Sequence, residues 1–335
     1  MEGTGTPMGA EHRGDRPVAP PATGLRLAWG DAPAWLRAEV EDRLGGRVVE
    51  AVTQPSGFSP GVAARLRLTD GRRAFVKAVG PEPNPDSPGV HRGEARIMAA
   101  LPRSAPAPGM LWSLDQRGWV ALAFEDVDGA QPALPWRPGE LRRVLEMVAA
   151  MAAALTPAPA GIPLIADRLQ DSFTGWRDLA TARTAGHDDL ADLDPWAARH
   201  LDRLAALESG WPAATEGPTL LHSDLRADNL LLTPTRVVAV DWPWACAGAA
   251  WVDLLLLLPS VTMQGGPDPE PAFAAHPVAA GADPEAVTIA LAAFAGFLIG
   301  GSRRPPPPGL PTLRAFQLGQ GLVALDWLRQ RTGWP

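Results

Sequence analysis

Residues 221–229 read Leu-His-Ser-Asp-Leu-Arg-Ala-Asp-Asn, and twelve residues beyond Asn229 an apolar run ends in Asp241. The first segment contains the pattern His-x-Asp-x-x-x-x-Asn, in which Asp224 is the central carboxylate. Phosphoryl transfer uses one carboxylate to accept or orient the proton of an attacking hydroxyl. It also needs oxygen ligands for Mg²⁺, and an amide and a second carboxylate can supply them. The residue types at these positions therefore point to phosphoryl transfer.

A plainer interpretation of the same segment involves no chemistry. Asp224 and Asp228 could each cap a turn, and His222 could be a buried histidine whose ring nitrogens are satisfied by hydrogen bonds. Arg226 also has two interpretations, because it could meet a phosphate or an acidic substrate, or could be a solvated surface charge. Asparagine occurs only twice in the chain, which makes the full pattern improbable by chance. We therefore favour the catalytic interpretation.

The His-Ser-Asp-Leu-x-x-x-Asn segment and the later Val-Asp-Trp resemble the catalytic loop and metal-binding strand of the aminoglycoside phosphotransferase family, which has a protein-kinase-like fold. The resemblance covers roughly residues 47–254. It implies that Asp224 is the catalytic base and that Asn229 and Asp241 bind Mg²⁺. It also implies that His222 organises the loop rather than carrying a proton.

Asp253 lies in a Gly-x-x-x-x-Asp-Leu setting that runs from Gly248 to Leu254. In the resembled family an aspartate in this setting often braces the catalytic loop. An aspartate before an apolar helical run can also be an N-terminal helix cap. The two interpretations are compatible, and Asp253 is predicted to be structural support.

Lys77 is the only lysine in the chain, since the other 29 of the 30 basic residues are arginines. A planar guanidinium does not replace a compact ammonium, so a lysine that persists against this bias indicates a site that needs one. Lys77 lies at the centre of a predicted strand, like the lysine on the third strand of a kinase N-lobe. Such a lysine contacts the α and β phosphates and is held by a glutamate on the next helix. Glu94, 17 residues later, is the candidate partner.

The loop between the first two predicted strands, residues 53–61, lacks the Gly-x-Gly-x-x-Gly pattern of protein kinases. The resembled family often has a looser Gly/Ser loop at this position, so the departure does not contradict the resemblance. We predict that Ser56, Gly57 and Ser59 contact the phosphates. The alternative is a plain hairpin turn.

The segment that links the two predicted lobes is expected to bind adenine. In this fold backbone groups hold the base, so Glu125 and Val127 are predicted contacts from their position alone. The cofactors that the resemblance implies are ATP, with GTP as an alternative, and Mg²⁺.

Strands come first along the chain and helices afterwards. The predicted strands are Arg47–Val52, Ala63–Leu68, Ala74–Val79, Trp119–Phe124, Asn229–Leu232 and Val237–Val240. The predicted helices are Pro33–Leu44, His91–Leu101, Pro138–Leu155, Asp192–Leu207 and a buried apolar helix at Ala286–Ile299. Together they predict an α+β, two-lobed, protein-kinase-like fold, with an antiparallel sheet plus helix in the N-lobe and a mainly helical C-lobe with a short catalytic hairpin.

The predicted organisation has three parts. Residues 1–23 are rich in Gly, Pro and Thr and are expected to be a disordered N-terminal segment. Residues 24–126 would form the N-terminal nucleotide-binding lobe. Residues 127–335 would form the C-terminal catalytic and substrate-binding lobe.

Composition limits the partners and the compartment. A net charge of −7 provides no basic stripe for nucleic acid and no polybasic patch for a membrane. The single cysteine, Cys246, cannot form an intrachain disulfide, and we expect it to pack in the core of a protein in a reducing cytoplasm. The longest apolar run is shorter than the roughly 20 residues of a membrane span, and no secretory signal is apparent. We expect no obligate protein partner.

The predicted acceptor is a hydroxyl of a small molecule, either an antibiotic or a metabolite. Trp242-Pro243-Trp244 replaces the Asp-Phe-Gly context of protein kinases, which disfavours a protein substrate. Carboxylates after residue 262 are few and scattered, so the sequence shows no acidic site for a polycationic aminoglycoside. The Phe and Trp residues in the same region are mostly predicted to be core and do not establish a hydrophobic acceptor.

Two other classes of protein remain as alternatives. A non-catalytic nucleotide-binding pseudokinase would keep the fold and lose the chemistry, but Lys77, Asp224 and Asn229 are all present. A metal-dependent hydrolase would use the histidines and aspartates. It is disfavoured because no pair of histidines has metal-ligand spacing.

Overall fold

The computed structural model describes residues 21–335. The strands are β1 (Val48–Thr53), β2 (Val62–Leu68), β3 (Arg73–Val79), β4 (Met110–Gln116), β5 (Trp119–Glu125), β6 (Thr219–Leu221), β7 (Leu230–Leu232), β8 (Val237–Ala239) and β9 (Cys246–Gly248). The helices are α1 (Ala34–Leu44), α2 (Ser87–Ala100), α3 (Pro138–Ala154), α4 (Ile165–Leu169), α5 (Gly175–Thr184), α6 (Pro195–Arg199), α7 (Leu201–Glu208), α8 (Trp211–Ala214), α9 (Val252–Met263), α10 (Pro269–Ala274), α11 (Pro284–Ser302) and α12 (Leu313–Thr332). The predicted disordered segment, residues 1–23, lies outside the described residues except for its last three. The predicted lobe boundary after residue 126 stays a prediction.

Five antiparallel strands form one sheet in the order β1-β2-β3-β5-β4. The predicted turn between β2 and β3 is present, and Gly71 there has φ 86°, which glycine adopts without a Cβ clash. Lys77 lies on the central strand β3, between Ala63 on β2 and Leu122 on β5. Strand β4 is absent from the predicted elements because it is an edge strand in which only Leu114 is buried, so its alternation is weak.

Successive side chains of β5 point to opposite faces of the sheet and join two different core clusters. Ala121 and Ala123 join a core cluster that also contains the buried residues of α1. Leu122 and Phe124, on the opposite face, join the larger cluster that includes the buried apolar residues of α2 and continues into the helical region. Side chains alternate in this way because successive Cβ atoms of a strand point to opposite faces. Helix α2 is thereby placed on the face of the sheet that adjoins the helical region.

The helical region is built around α11, which packs against α5, α7 and α12. Among the described residues this one helix is long and apolar enough to cross a membrane, but 61% of its apolar window is buried inside the protein. A helix that is apolar all round and covered by other helices is a core helix. The prediction of a buried helix at 286–299 is confirmed.

The prediction of one continuous helix over Asp192–Leu207 is wrong. The chain forms α6 and α7 instead, with a break at His200, where φ is −104° and ψ is 14°. His200 Nε2 lies 2.7 Å from the carbonyl oxygen of Pro335, at the far end of the chain. The apolar spacing continues across the break, so the pattern of residues alone does not reveal it.

Two short antiparallel sheets of two strands each flank the loop at residues 222–229. Strand β6 ends at Leu221 and pairs with β9, while β7 pairs with β8. The predicted catalytic hairpin is therefore present. Beyond the last pair, the Val240 N–H donates to the Asn229 carbonyl at 2.9 Å. This hydrogen bond holds Asn229 beside Asp241.

Helices α5 and α11 cross closely at Gly175 and Gly296, and this contact leaves no room for a side chain. A Cβ added at Gly175 would lie 1.9 Å from the carbonyl oxygen of Gly296. Gly175→Ala should force the helices apart and lower the free energy of unfolding by about 1–3 kcal/mol or more, measured by urea denaturation. Gly139→Ala on α3 is the control, because among residues 21–335 a Cβ there meets nothing within 4 Å beyond its chain neighbours and the backbone of its own helix. It should be neutral or stabilising by up to about 1 kcal/mol; equal stability of the two variants would contradict the close crossing.

Candidate active site

A mostly buried lysine, 13% exposed, joins the sheet to the helical region. Lys77 Nζ lies 2.9 and 3.1 Å from the carboxylate oxygens of Glu94 on α2, and 2.5 Å from Oδ1 of Asp241, two residues past β8. Burial opposes the charge, but the two carboxylates outweigh it and raise the pKa of Lys77. The sequence-predicted pair of Lys77 and Glu94 is thus brought together, and Asp241 completes a three-membered ionic cluster.

Asp241 is held in an unusual backbone conformation. Its φ is 69°, in the left-handed region that costs a non-glycine residue roughly 1–2 kcal/mol. Burial would raise the pKa of Asp241, but the Lys77 ammonium outweighs burial and lowers the pKa to about 2. The carboxylate is therefore ionised at neutral pH. Backbone strain of this kind is concentrated at functional sites, where the surrounding structure maintains it.

Arg226 is not the solvated surface charge that one interpretation of the sequence suggested. Its side chain is only 12% exposed, and its guanidinium bridges Asp224 and Asp228, with Nη2 3.0 Å from Asp228 Oδ2. It also lies 5.5 and 5.8 Å from the ring centroids of Phe58 and Phe316. Two carboxylates and two aromatic faces stabilise the guanidinium in this environment. The contacts with the two rings could not be predicted from the sequence, because Phe58 and Phe316 are far from Arg226 along the chain.

Asp224 has a hydrogen-bond donor at each carboxylate oxygen. Arg226 Nη1 donates to Oδ1, and Asn229 Nδ2 lies 3.2 Å from Oδ2. Burial raises the pKa of Asp224 to about 6, although the Arg226 charge opposes this shift. A carboxylate of this kind is ionised at neutral pH and still basic enough to accept a proton.

His222 is fully buried, and both of its ring nitrogens are used inside the protein. Nε2 donates to the Val240 carbonyl at 2.9 Å, and Nδ1 accepts from the Asp224 N–H at 3.2 Å. Burial lowers the pKa of His222 to about 4, so the ring is neutral. These bonds tie the loop to the end of the hairpin and leave neither nitrogen for proton transfer.

Asp253 lies in the first turn of α9 and supports the same loop. Its Oδ2 accepts the His222 N–H at 2.8 Å and its Oδ1 accepts the Ser223 N–H at 2.7 Å. It makes no cap to α9 itself, whose N-cap residue is Trp251. Ser223 has φ 64°, and the carboxylate holds both amides of this strained turn. Asp253 therefore supports the catalytic loop, as one of the two interpretations predicted, and does not cap the helix.

Asn229 and Asp241 fit a hard cation. The Asn229 amide nitrogen donates to the Asp224 carbonyl at 2.9 Å, which leaves the amide oxygen as an acceptor. Asp241 uses Oδ1 for Lys77 and has its second oxygen remaining. Two oxygen donors on adjacent strand ends suit Mg²⁺, which takes one or two protein ligands and completes its shell with phosphates and water. Residues 21–335 contain no group of three or more His, Cys, Asp or Glu side chains arranged to hold a metal, as the disfavoured hydrolase interpretation would require.

The loop between β1 and β2 is held by an arginine that the sequence did not single out. Arg26 donates to the carbonyls of Ser56 and Ser59, and its Nη2 lies 3.4 Å from the Gly57 carbonyl oxygen. Its Nε is buried without a hydrogen-bond partner among residues 21–335. The Asp241 and Asp228 carboxylates raise the pKa of Arg26, while burial lowers it and prevails. No sequence motif marks Arg26, because its partners lie about 30 residues away.

The described start of the chain, residues 21–27, forms a segment that we call the N-terminal strap. The Leu25 N–H donates to the Gly309 carbonyl at 2.8 Å, and the Leu25 carbonyl accepts from Gly61 at 3.2 Å. The strap therefore lies between the β1–β2 loop and the loop that precedes α12.

The segment that follows β5, which the sequence predicts to link the lobes, is fixed by hydrogen bonds at both Glu125 and Val127. The Glu125 N–H donates to the Gly109 carbonyl at 2.9 Å, and the Val127 carbonyl accepts from Arg65 Nη2 at 2.8 Å. Glu125 and Val127, the predicted adenine contacts, line one cavity together with the predicted phosphate contacts of the β1–β2 loop. The structure thus gathers the predicted nucleotide contacts around one space.

Two cavities meet at Asp241. The sheet-side cavity, of about 330 Å³, has Lys77 and Asn229 in its wall. The helix-side cavity, of about 440 Å³, has Asp224 in its wall. Asp241 lines both, so the proposed cation ligand lies where the two spaces join.

Cys246 is buried, as predicted. Its Sγ lies 3.1 Å from Ser223 Oγ, and burial raises the pKa of the thiol to about 12. A thiol in this environment is not a nucleophile at neutral pH. Cys246 packs beneath the loop that carries Asp224.

Solved structures that are similar to this chain include phosphotransferases. An aminoglycoside phosphotransferase from Alicyclobacillus acidocaldarius is 17% identical, with a TM-score of 0.52 over 85% of this chain and 93% of that one. A thermostable mutant of the aminoglycoside phosphotransferase APH(4)-Ia, in a ternary complex with ADP and hygromycin B, is 15% identical, with a TM-score of 0.58 over 90% and 99%. The choline kinase LicA from Streptococcus pneumoniae is 11% identical, with a TM-score of 0.58 over 88% and 98%. The two-lobed, kinase-like fold is therefore confirmed.

A comparison with curated protein sequences found no match. The sequence model of the Phosphotransferase enzyme family matches residues 55–288. This span runs from the loop after β1 into α11 and contains Lys77, Asp224 and Asp241. Because it covers well over half of the chain, the protein belongs to the phosphotransferase enzyme family.

Proposed function

We propose that the protein is an ATP- and Mg²⁺-dependent kinase that phosphorylates a hydroxyl group of a small molecule. The observation that carries the proposal is the junction at Asp241. Lys77 and Asn229 line the cavity on one side of it, and Asp224 lines the cavity on the other. A nucleotide in the sheet-side cavity and an acceptor in the helix-side cavity would meet there. The solved APH(4)-Ia complex with ADP and hygromycin B supports the use of both a nucleotide and a small-molecule acceptor in this fold.

In the sheet-side cavity, the Lys77 ammonium would contact the α and β phosphates, with Glu94 holding it in position. The β1–β2 loop would cover the phosphates through Ser56, Gly57 and Ser59. The backbone at Glu125 and Val127 would hold adenine. GTP is the alternative nucleotide.

In the helix-side cavity, Asp224 would orient the acceptor hydroxyl and receive its proton. The hydroxyl oxygen forms a bond to the γ-phosphorus while the bond to the bridging oxygen of ADP breaks. The products are a phosphate monoester and ADP. Most of the rate enhancement in such a reaction comes from positioning and from electrostatic stabilisation.

Asn229 and Asp241 would hold Mg²⁺ through the amide oxygen and a carboxylate oxygen. The bound cation supplies neutralisation of the triphosphate charge as that charge redistributes during transfer. The Asn229 side chain has a second task, because its amide nitrogen fixes the Asp224 carbonyl.

The alternative is a non-catalytic nucleotide-binding pseudokinase. Stabilisation of the protein by Mg-ATP, with no phosphate transferred to any acceptor in a broad panel, would favour it. The complete set of Lys77, Asp224, Asn229 and Asp241 favours the enzyme. We further propose a cytoplasmic location, without nucleic-acid, membrane or obligate protein partners.

Asp224→Ala tests the proton acceptor. It should lower kcat by about 10²- to 10⁴-fold, because general-base catalysis contributes about that much. The affinity for Mg-ADP, measured by calorimetry, should be retained. Asp202→Ala on α7 is the control, since that side chain is 77% exposed. Near wild-type turnover in Asp224→Ala would show that the base is wrongly assigned.

Lys77→Arg tests the requirement for an ammonium. The planar guanidinium cannot occupy the same position between Glu94 and Asp241. We expect kcat/KM for ATP to fall roughly 100-fold, equivalent to about 2.7 kcal/mol. Arg67→Lys, an exposed exchange in the opposite direction on β2, should leave the kinetics unchanged. Full activity of Lys77→Arg would show that the site does not require an ammonium group.

Arg26→Ala tests how the phosphate-covering loop is held. Loss of the bonds to Ser56 and Ser59 should accelerate hydrogen exchange in the β1–β2 loop. It should weaken the binding of ATP and ADP several-fold but leave the binding of adenosine unchanged, because adenosine has no phosphates. Arg47→Ala, at an exposed position just before β1, serves as the control. Unchanged exchange and unchanged ATP affinity would show that the strap does not organise the loop.

A further inference from the structure

The helix-side cavity is walled mainly by aromatic and aliphatic side chains. Representative members come from the β1–β2 loop, from the chain after α4, and from α11 and α12: Phe58, Phe173, Phe294, Phe297, Leu313 and Phe316. The sequence predicts Phe294 and Phe297 to be core. They are core residues that also present ring surface to this space, so their structural and binding roles coincide.

The carboxylates that line the helix-side cavity, apart from Asp86, already form ion pairs within the chain. Lys77 pairs with Glu94 and Asp241, and Arg226 pairs with Asp224. The remaining carboxylate of the lining is Asp86, which is exposed at the rim. A molecule with several ammonium groups would lose hydration on entry without a set of carboxylates to compensate.

Two of the buried polar side chains in the lining are neutral amides. Gln317 and Gln320 lie one turn apart on α12 and are 7% and 5% exposed. Gln317 accepts from Arg314 Nη1 at 2.8 Å, and Gln320 donates to the Leu256 carbonyl at 3.4 Å. An amide has two N–H donors and a carbonyl acceptor, so both side chains have capacity left for a ligand. They suit hydroxyl, ether or carbonyl groups rather than charges.

We propose that the helix-side cavity binds an acceptor that is uncharged and mainly apolar, with one hydroxyl directed at Asp224 and other oxygens bonded by Gln317 and Gln320. A polycationic aminoglycoside does not match this lining. The inference rests on the proposed function and specifies its substrate class. Its basis is the combination of aromatic walls, ion-paired carboxylates and neutral buried amides.

Alkyl glucosides provide a graded test, because only the apolar part changes within the series. Binding to the wild-type protein in the presence of Mg-ADP would be measured by calorimetry below the micelle concentration. Octyl β-D-glucoside should bind at least tenfold more tightly than methyl β-D-glucoside, because burial of the alkyl chain removes apolar surface from water. Hygromycin B and choline, both cationic, should show no saturable binding.

A matched pair of variants on α12 locates the binding. Leu313→Asp puts a carboxylate into the cavity at the first residue of the helix, where an acidic side chain favours helix stability. It should weaken octyl glucoside binding at least tenfold and improve the binding of hygromycin B. Leu318→Asp introduces the same charge at a side chain that is 45% exposed and outside the cavity lining, and it should change neither.

The outcomes separate the acceptor class from the enzyme assignment. Saturable binding of hygromycin B or choline to the wild type, without binding of octyl glucoside, would overturn the apolar class and leave the kinase proposal intact. Equal octyl glucoside affinity in Leu313→Asp and the wild type would place the binding elsewhere and also overturn it. Failure of the wild type to bind Mg-ADP at all would instead contradict the proposed function.

Discussion

The Lys77 ammonium contacts Glu94 on α2 and Asp241 beyond β8, and so connects three elements that are distant in sequence. The contact fixes α2 against the sheet on one side of the cleft and the end of the hairpin on the other. It also holds Asp241 ionised in a left-handed backbone conformation that a side chain does not otherwise favour. Without this cation, two carboxylates would be buried side by side, which is strongly unfavourable. The cluster thus fixes Lys77, a proposed phosphate contact, and Asp241, a proposed cation ligand, relative to each other.

A second ionic cluster has a different origin. Arg226 forms ion pairs with both Asp224 and Asp228, and its guanidinium lies beside the rings of Phe58 and Phe316, which are far apart in the sequence. One ring belongs to the β1–β2 loop and the other to α12. The guanidinium therefore joins the proposed phosphate loop, the catalytic loop and the last helix. Its stacking also makes part of the aromatic wall of the helix-side cavity.

The central features of the site could be predicted from the sequence because they are local. The spacing from His222 to Asn229 fixes a loop, and the Asp241 strand follows it closely, so residue types alone suggest the chemistry. The single lysine stands out against a background of arginines. The strands of the central sheet were also predictable, since β2, β3 and β5 are rich in apolar residues and bounded by turn residues.

What escaped prediction depends on contacts between distant segments. Arg26 has no motif, and its role appears only when the start of the chain is seen beside the β1–β2 loop. The break at His200 coincides with a contact to Pro335, and Arg226 lies beside two rings from elements remote in sequence. Edge strand β4 has too few buried residues to show a pattern. In each case tertiary packing decides the outcome over the local sequence.

The N-terminal strap connects the borders of the two cavities. Thr23 bridges to Ser56 and Gly57 and also contacts Thr312, while Leu25 bonds to Gly309. The first contacts border the sheet-side cavity, and the loop before α12 borders the helix-side cavity. One stretch of backbone thus bonds to segments that line both cavities. A displacement of the strap would therefore alter the border of both compartments at once.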